Sequence, residues 1–249
     1  MIHNHWIRKY GIEGSYEAID IAPEKLNETL RQLIAEGYAG FNVTIPHKVA
    51  VMEICDEIDP VAKAIGAVNT IRVENGRISG TNTDAFGFIE NLCDQQPEWN
   101  AKGGPALVLG AGGAAKAVVH ALKEAGVPET IVANRTREKA EELGVTAIDW
   151  NDRTRVGREV ALIVNTTSLG MTGQEPLEID LSGSNAIVYD IVYRPLMTPL
   201  LVQARNFGLP VVTGLGMLLH QARPAFKGWF NVMPDVDNEL QDMVLKAAQ

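Results

Sequence analysis

Residues 106–117 read Ala-Leu-Val-Leu-Gly-Ala-Gly-Gly-Ala-Ala-Lys-Ala, and this stretch decides the fold. A short apolar run, residues 106–110, has the length of a buried strand, and the Ala-rich residues 114–125 have the composition of a helix. Between them Gly110, Ala111, Gly112, Gly113, Ala114 and Ala115 fit the pattern Gly-x-Gly-x-x-Ala at a strand-to-helix junction. Glycine there permits a tight turn and lets backbone N–H groups approach a pyrophosphate, while the helix that follows presents its positive end. Residues 130–133 supply the next strand and close a βαβ unit. Strand signals at 161–165, 186–191 and 211–213 extend it into a parallel, doubly wound sheet.

The end of the second strand carries Asn134-Arg135-Thr136-Arg137. A site for NAD places an acidic side chain there to accept from the ribose hydroxyls. A guanidinium and a hydroxyl instead suit a 2′-phosphate, so the expected cofactor is NADP.

Ahead of the glycine loop, residues 15–21 read as a strand, and Pro23 opens a helix that places Leu26, Leu30, Leu33 and Ile34 on one face before Gly37 ends it. Residues 40–44 read as a strand running into Pro46. Asp59-Pro60 and Gly66 bracket a short helix. Segments 67–73 and 77–83 flank Glu74-Asn75-Gly76, a hairpin turn, which implies a mixed sheet. The polar stretch 94–105 marks a change of character and is the expected domain boundary. The expected class is α/β: a mixed-sheet substrate domain over 1–101, completed by C-terminal helices from 217–249 that Pro224 and Pro234 break, and a Rossmann-type NADP domain over 102–216.

A formal net charge of −9 disfavours nucleic acid and anionic membranes as partners, so any anionic ligand must be held locally. Apolar runs fall far short of the roughly 20 residues that span a bilayer. Residues 1–8 lack the features of a secretory signal, so a cytoplasmic location is expected. Cys55 and Cys93 have no metal-ligand spacing, and neither do His3, His5, His120 and His220, so no metal is expected.

Asn42-Val43-Thr44-Ile45-Pro46-His47-Lys48 resembles the shikimate dehydrogenase family. So do Gly66-Ala67-Val68-Asn69-Thr70, Thr81-Asn82-Thr83-Asp84, the Gly110 loop, Asn134-Arg135-Thr136, Asn165-Thr166-Thr167, Asp190-Ile191-Val192-Tyr193 and Gly214-Leu215-Gly216-Met217 with Gln221. The resemblance spans nearly the whole chain in the family's order. It implies NADPH-linked reduction of 3-dehydroshikimate to shikimate, in aromatic amino-acid biosynthesis, by a monomer or homodimer. Lys48 and Asp84 then form the catalytic pair, and Thr44, Asn69, Asp84, Tyr193 and Gln221 bind substrate. Gly110, Ala111, Gly112, Gly113, Ala114, Asn134, Arg135, Thr136 and Lys139 hold the nucleotide, with Ile191 and Gly214 beside the nicotinamide. A Lys next to a carboxylate suits the proton transfer that accompanies hydride transfer. The carboxylate favours the ammonium and burial the neutral amine, and the sequence leaves that balance open. His47 is adjacent, but no catalytic role is expected of it.

One departure accompanies the resemblance. The family begins with a strand and a Ser-x-Ser pair that holds the substrate carboxylate, and Met1-Ile2-His3-Asn4 corresponds to a segment just after them. The expectation is a natural start some 20 residues upstream, with substrate capture weakened in the 249-residue chain. Two alternatives follow: a quinate-using relative with NAD, which calls for an acidic residue where Arg135 and Thr136 stand, and a catalytically impaired nucleotide-binding homologue.

Overall fold

The computed structural model describes residues 1–248, beginning with helix α1 (Ile2–Lys9), which buries His3, His5, Trp6 and Ile7 on one side. Two compact units follow from the packing: Met1–Asp84 with Gln221–Val244, and Ala85–His220 with the C-terminal residues from Leu245.

In the first unit, Pro23 opens a short 3-10 turn that runs into α2 (Leu26–Ala35), and its Leu26, Leu30 and Leu33 form the buried face that their spacing requires. Four strands make the sheet: β1 (Gly40–Asn42), β2 (Glu57–Ile58), β3 (Thr70–Glu74) and β4 (Arg77–Thr81), in the order β1-β3-β4-β2. Pairs β1/β3 and β3/β4 are antiparallel and β4/β2 is parallel, so the sheet is mixed as expected. The β3–β4 turn holds Asn75 at φ 51° and Gly76 at φ 78°, the left-handed geometry that the Asn-Gly pair supplies at least cost. Helix α3 (Pro60–Ile65) starts on Asp59, whose carboxylate accepts from the Ala62 amide at 2.6 Å, and stops at left-handed Gly66. Leu26, Leu30, Val51, Ala62, Val68, Ile71 and Ile78 close the core between α2, α3 and the sheet. Each large aliphatic buried there contributes about 1.5–3 kcal/mol.

Residues 15–21, expected to be a strand, form none. A strand needs a ladder, and here the Tyr16 backbone is bonded by a side chain instead: Asn4 donates to its carbonyl at 2.6 Å and accepts from its amide at 2.8 Å. A cavity of about 210 Å³ separates this segment from β1, with Asn42 and Thr44 in its wall.

In the second unit, α4 (Asp84–Gln95) precedes the alternation that the glycine loop announced. Its elements are β5 (Ala106–Leu109), α5 (Gly113–Ala125), β6 (Thr130–Asn134), α6 (Arg137–Glu141), β7 (Thr146–Asp149), α7 (Arg153–Val156), β8 (Leu162–Asn165), β9 (Ile187–Asp190), α8 (Pro199–Asn206) and β10 (Val211–Val212). All six strands are parallel, in the order β10-β9-β8-β5-β6-β7. Residues of β5 and β8 are almost entirely buried, which explains their uninterrupted apolar runs. Strand β7 escapes a hydropathy reading because it is a half-exposed edge.

The first unit ends at Asp84, ahead of the boundary expected near residue 101, because α4 is committed to the parallel sheet. Asn91 donates to the Tyr189 hydroxyl at 2.6 Å and to the Thr213 carbonyl at 2.8 Å, and Phe88 stacks on Tyr189. The last elements are α9 (Leu215–Phe230) and α10 (Asn238–Ala248). Pro224 does not break α9 as expected; Ala222, Ala225 and Phe226 around it are buried, and that packing offsets the lost backbone bond. In the first unit the Trp229 indole donates to the Ile71 carbonyl at 2.9 Å across Gly40, where a Cβ would stand 2.1 Å from the indole nitrogen. No helix among the described residues is long and apolar enough to cross a membrane.

Candidate active site

Lys48 lies in the turn that follows β1 and precedes a 3-10 segment (Ala50–Ile54), not in a regular helix. Its carbonyl accepts from the Val68 amide at 2.8 Å, which ties the turn to the segment entering β3. Asp84 opens α4, its amide held at 3.0 Å by the Asn82 side chain, which in turn donates to the Ala67 carbonyl. The two meet with Lys48 Nζ 2.6 Å from Asp84 Oδ2, and their side chains are 28% and 16% exposed. This half-buried setting strengthens the attraction over that of a surface pair and still admits a substrate hydroxyl.

Asn69 organises the neighbours. Its side-chain nitrogen donates to Asp84 Oδ1 at 2.8 Å and to Thr83 Oγ1 at 3.0 Å, and its oxygen accepts from the Thr83 amide at 2.9 Å. Gln221 joins through a 3.3 Å bond from the Thr83 hydroxyl. Lys48, Asp84, Asn69 and Gln221, all expected from the resemblance, are thus gathered in the first unit. Thr44 follows β1 with its side chain exposed. His47 is occupied structurally, with Nε2 at 2.8 Å from the Ile21 carbonyl.

Residues the sequence reading gave no role sit behind this group. Asn42 donates to Thr70 Oγ1 at 3.2 Å, and Thr70 donates to Asn69 Oδ1 at 3.0 Å. Asn42 Oδ1 in turn lies 2.8 Å from His3 Nε2 and accepts from the Tyr16 hydroxyl at 3.1 Å. Period-two alternation along Asn42-Val43-Thr44 was the available signal for Asn42, since it shares a strand face with Thr44.

Burial holds the His3 imidazole down to about 4, against the bond to Asn42, which raises it. Its folded value lies below the unfolded one of about 6.5, so the stability it contributes is present above pH 6.5 and is lost as pH falls toward 4. The loss amounts to at most ~3 kcal/mol. The expected result is a midpoint of thermal unfolding that drops across this window in the wild type and drops less in His3→Gln; parallel curves for the two proteins would exclude His3 as the cause.

In the second unit, Gly110 has φ +104°, and a Cβ there would lie 2.9 Å from Thr166 Oγ1. Gly112 and Gly113 differ: a Cβ on either would meet nothing within 4 Å, so the loop is open above the start of α5. No side chain caps that start, leaving its first amides for an anionic group. The loop sits between β5 and β8, where the strand order reverses and a doubly wound sheet binds ligands.

At the end of β6, Asn134 donates to the Thr136 carbonyl at 2.7 Å and shapes the turn. Arg137 is engaged by Glu141 at 3.0 Å and Asp149 at 3.3 Å. Arg135, Thr136 and Lys139 are exposed, and no ion pair within the described residues takes up either cation. The donor set fits a dinucleotide carrying a 2′-phosphate.

Gly214 is required by the backbone: a Cβ would stand 2.3 Å from the Ile191 carbonyl oxygen. Residues 190–192 are fixed by Asp190, which accepts from Thr198 Oγ1 at 2.7 Å, Asn165 Nδ2 at 3.0 Å and the Val192 amide at 3.0 Å. Burial pushes the Asp190 carboxyl up to about 6 despite these donors. Tyr193, at the end of this segment, is 36% exposed and belongs to the second unit, unlike the other expected substrate residues. Among the described residues no cluster of His, Cys, Asp and Glu is placed to hold a metal ion.

A doubly wound parallel sheet with an open glycine loop and free cations at the next strand end defines a nucleotide-binding α/β oxidoreductase, here joined in one chain to a mixed-sheet unit bearing a Lys–Asp pair. The chain belongs to the shikimate dehydrogenase family. Residues 1–71 match the family model for the shikimate dehydrogenase substrate binding domain, and residues 92–155 match that for shikimate / quinate 5-dehydrogenase. A shikimate dehydrogenase (NADP(+)) of Paramagnetospirillum magneticum is 50% identical, the alignment covering 98% of this chain and 92% of that one. Among solved structures, shikimate 5-dehydrogenase from Thermus thermophilus in complex with NADP(H) and shikimate is 38% identical with a TM-score of 0.86, covering 100% of this chain and 94% of that one. Quinate dehydrogenase from Corynebacterium glutamicum in complex with NAD is 30% identical with a TM-score of 0.90, covering 98% and 93%.

Proposed function

We propose that this protein interconverts shikimate and 3-dehydroshikimate with NADP, and that Lys48 and Asp84 handle the proton. The observation that carries the reading is the 2.6 Å contact between Lys48 Nζ and Asp84 Oδ2, half-buried and braced by Asn69. NADP supplies the hydride acceptor when bound. In the oxidation direction Lys48, as the neutral amine, takes the proton from the ring hydroxyl as the carbon–hydrogen bond breaks and becomes the ammonium paired with Asp84; in reduction the ammonium returns that proton to the ring oxygen. Asp84 orients the Lys48 amine and accepts from the ring. Thr44, Asn69, Gln221 and Tyr193 supply donors and acceptors for a polyhydroxylated carboxylate. The Gly110–Ala114 loop holds the pyrophosphate with Asn134 shaping the adjoining turn; Arg135, Thr136 and Lys139 hold the 2′-phosphate, and Ile191 and Gly214 border the nicotinamide.

The overall fold is shared with a quinate dehydrogenase, so the choice of substrate and cofactor rests on the site. With purified protein, absorbance at 340 nm is followed with shikimate and NADP and with quinate and NAD. The expected result is a higher kcat/KM for the first pair. Faster turnover of quinate with NAD would overturn the assignment, and NADP binding without turnover of either substrate would identify an impaired homologue.

A further inference from the structure

We infer that Thr70 is a positioning residue for the Lys48–Asp84 pair, acting through Asn69, and that Asn42 sets the direction of the Thr70 hydroxyl. This rests on the reading of Lys48 and Asp84 as the proton-handling pair. Thr70 has a single hydroxyl proton, and its oxygen already accepts from Asn42 Nδ2 at 3.2 Å, so the proton goes to Asn69 Oδ1 at 3.0 Å. Asn42 receives the Tyr16 hydroxyl on its oxygen at 3.1 Å, with His3 Nε2 2.8 Å from that same oxygen, and its amide nitrogen faces Thr70. From Asn42 the donors run through Thr70 to Asn69, whose oxygen also accepts from the Thr83 amide at 2.9 Å and whose Nδ2 reaches Asp84 Oδ1 at 2.8 Å and Thr83 Oγ1 at 3.0 Å.

The effect on the pair is geometric. With Oδ1 taken by Asn69, the carboxylate presents Oδ2 to Lys48. Asn69 and Thr70 are each only 3% exposed, so no bulk water stands in for a missing donor. Without the Thr70 hydroxyl, Asn69 Oδ1 loses one side-chain donor and Asn42 Nδ2 loses its acceptor, and the amide that aims Asp84 is held less firmly.

Thr70→Val keeps the shape and removes the hydroxyl, and Thr70→Ser keeps the hydroxyl. With shikimate and NADP, Thr70→Val is expected to lower kcat about tenfold with KM within about twofold, and to displace the acid limb of the kcat–pH profile by about half a unit or more. Thr70→Ser is expected to restore both. A wild-type kcat and acid limb in Thr70→Val, whatever its thermal stability, overturns the inference, and so does failure of Thr70→Ser to restore them. If Thr70→Val does not fold, Asn42→Ala reads the same chain one bond further out: a lowered kcat with a displaced limb supports the inference, and a wild-type profile overturns it. Lys48→Ala, run beside them, separates the two levels. An inactive Lys48→Ala with a wild-type-like Thr70→Val removes only Thr70, whereas an active Lys48→Ala removes the proton-handling reading and the inference with it.

Discussion

Replacing Lys48 by alanine is expected to lower kcat by roughly 10² or more while KM for shikimate changes far less, because proton transfer is needed mainly in the transition state. The amine is 2.6 Å from Asp84 Oδ2, and the carboxylate's other oxygen is held by Asn69, so its position is set before substrate arrives. Lys48→Arg sharpens the test. It keeps the positive charge, but a guanidinium does not give up its proton in a protein, so it should be nearly as slow as the alanine variant if proton transfer is the role. Recovery of most of the activity in Lys48→Arg would mean that the charge alone matters. Asp84→Asn should also be slowed, since the amide no longer offers Lys48 a charged acceptor. Initial rates over a range of shikimate concentrations at saturating NADP decide these outcomes, and near-normal kcat in Lys48→Ala removes Lys48 from the chemistry.

Arg135→Ala is expected to raise KM for NADP about 10- to 100-fold and to leave KM for NAD nearly unchanged, because a charge-assisted contact to a phosphate is worth about 1.5–3 kcal/mol. The structure adds a control that the sequence did not offer. Arg137, two residues on, is occupied by Glu141 and Asp149, so Arg137→Ala should shift the NADP/NAD ratio much less. Arg135 is exposed, so the preference should also weaken as salt rises. Measured kcat/KM ratios for the two cofactors test the assignment, and equal ratios in wild type and Arg135→Ala would show that the 2′-phosphate is held elsewhere.

The sequence by itself determined the α/β class, the mixed and parallel sheets and the place of the glycine loop. It did so because hydrophobic period, turn chemistry and helix caps are local, and each acts within a few residues: Gly110, Asn75-Gly76 and the Asp59–Gly66 bracket all carry their conformation in their own side chains or lack of them. Tertiary structure decided what depends on partners distant along the chain. Residues 15–21 have strand-like composition but no ladder, since Asn4 bonds the Tyr16 backbone. Pro224 stays within a helix because its neighbours are buried, and α4 joins the parallel sheet through Asn91. At the candidate site the residue types of Lys48, Asp84 and Asn69 were legible in motifs, but the contacts among them span 36 and 15 positions along the chain. Asn42, Thr70 and His3 gained their places only through hydrogen bonds across the first unit. A lone Asn, Thr or His carries no local signal of its partner, because hydrogen bonding is directional and short-ranged and its geometry exists only once the chain has folded.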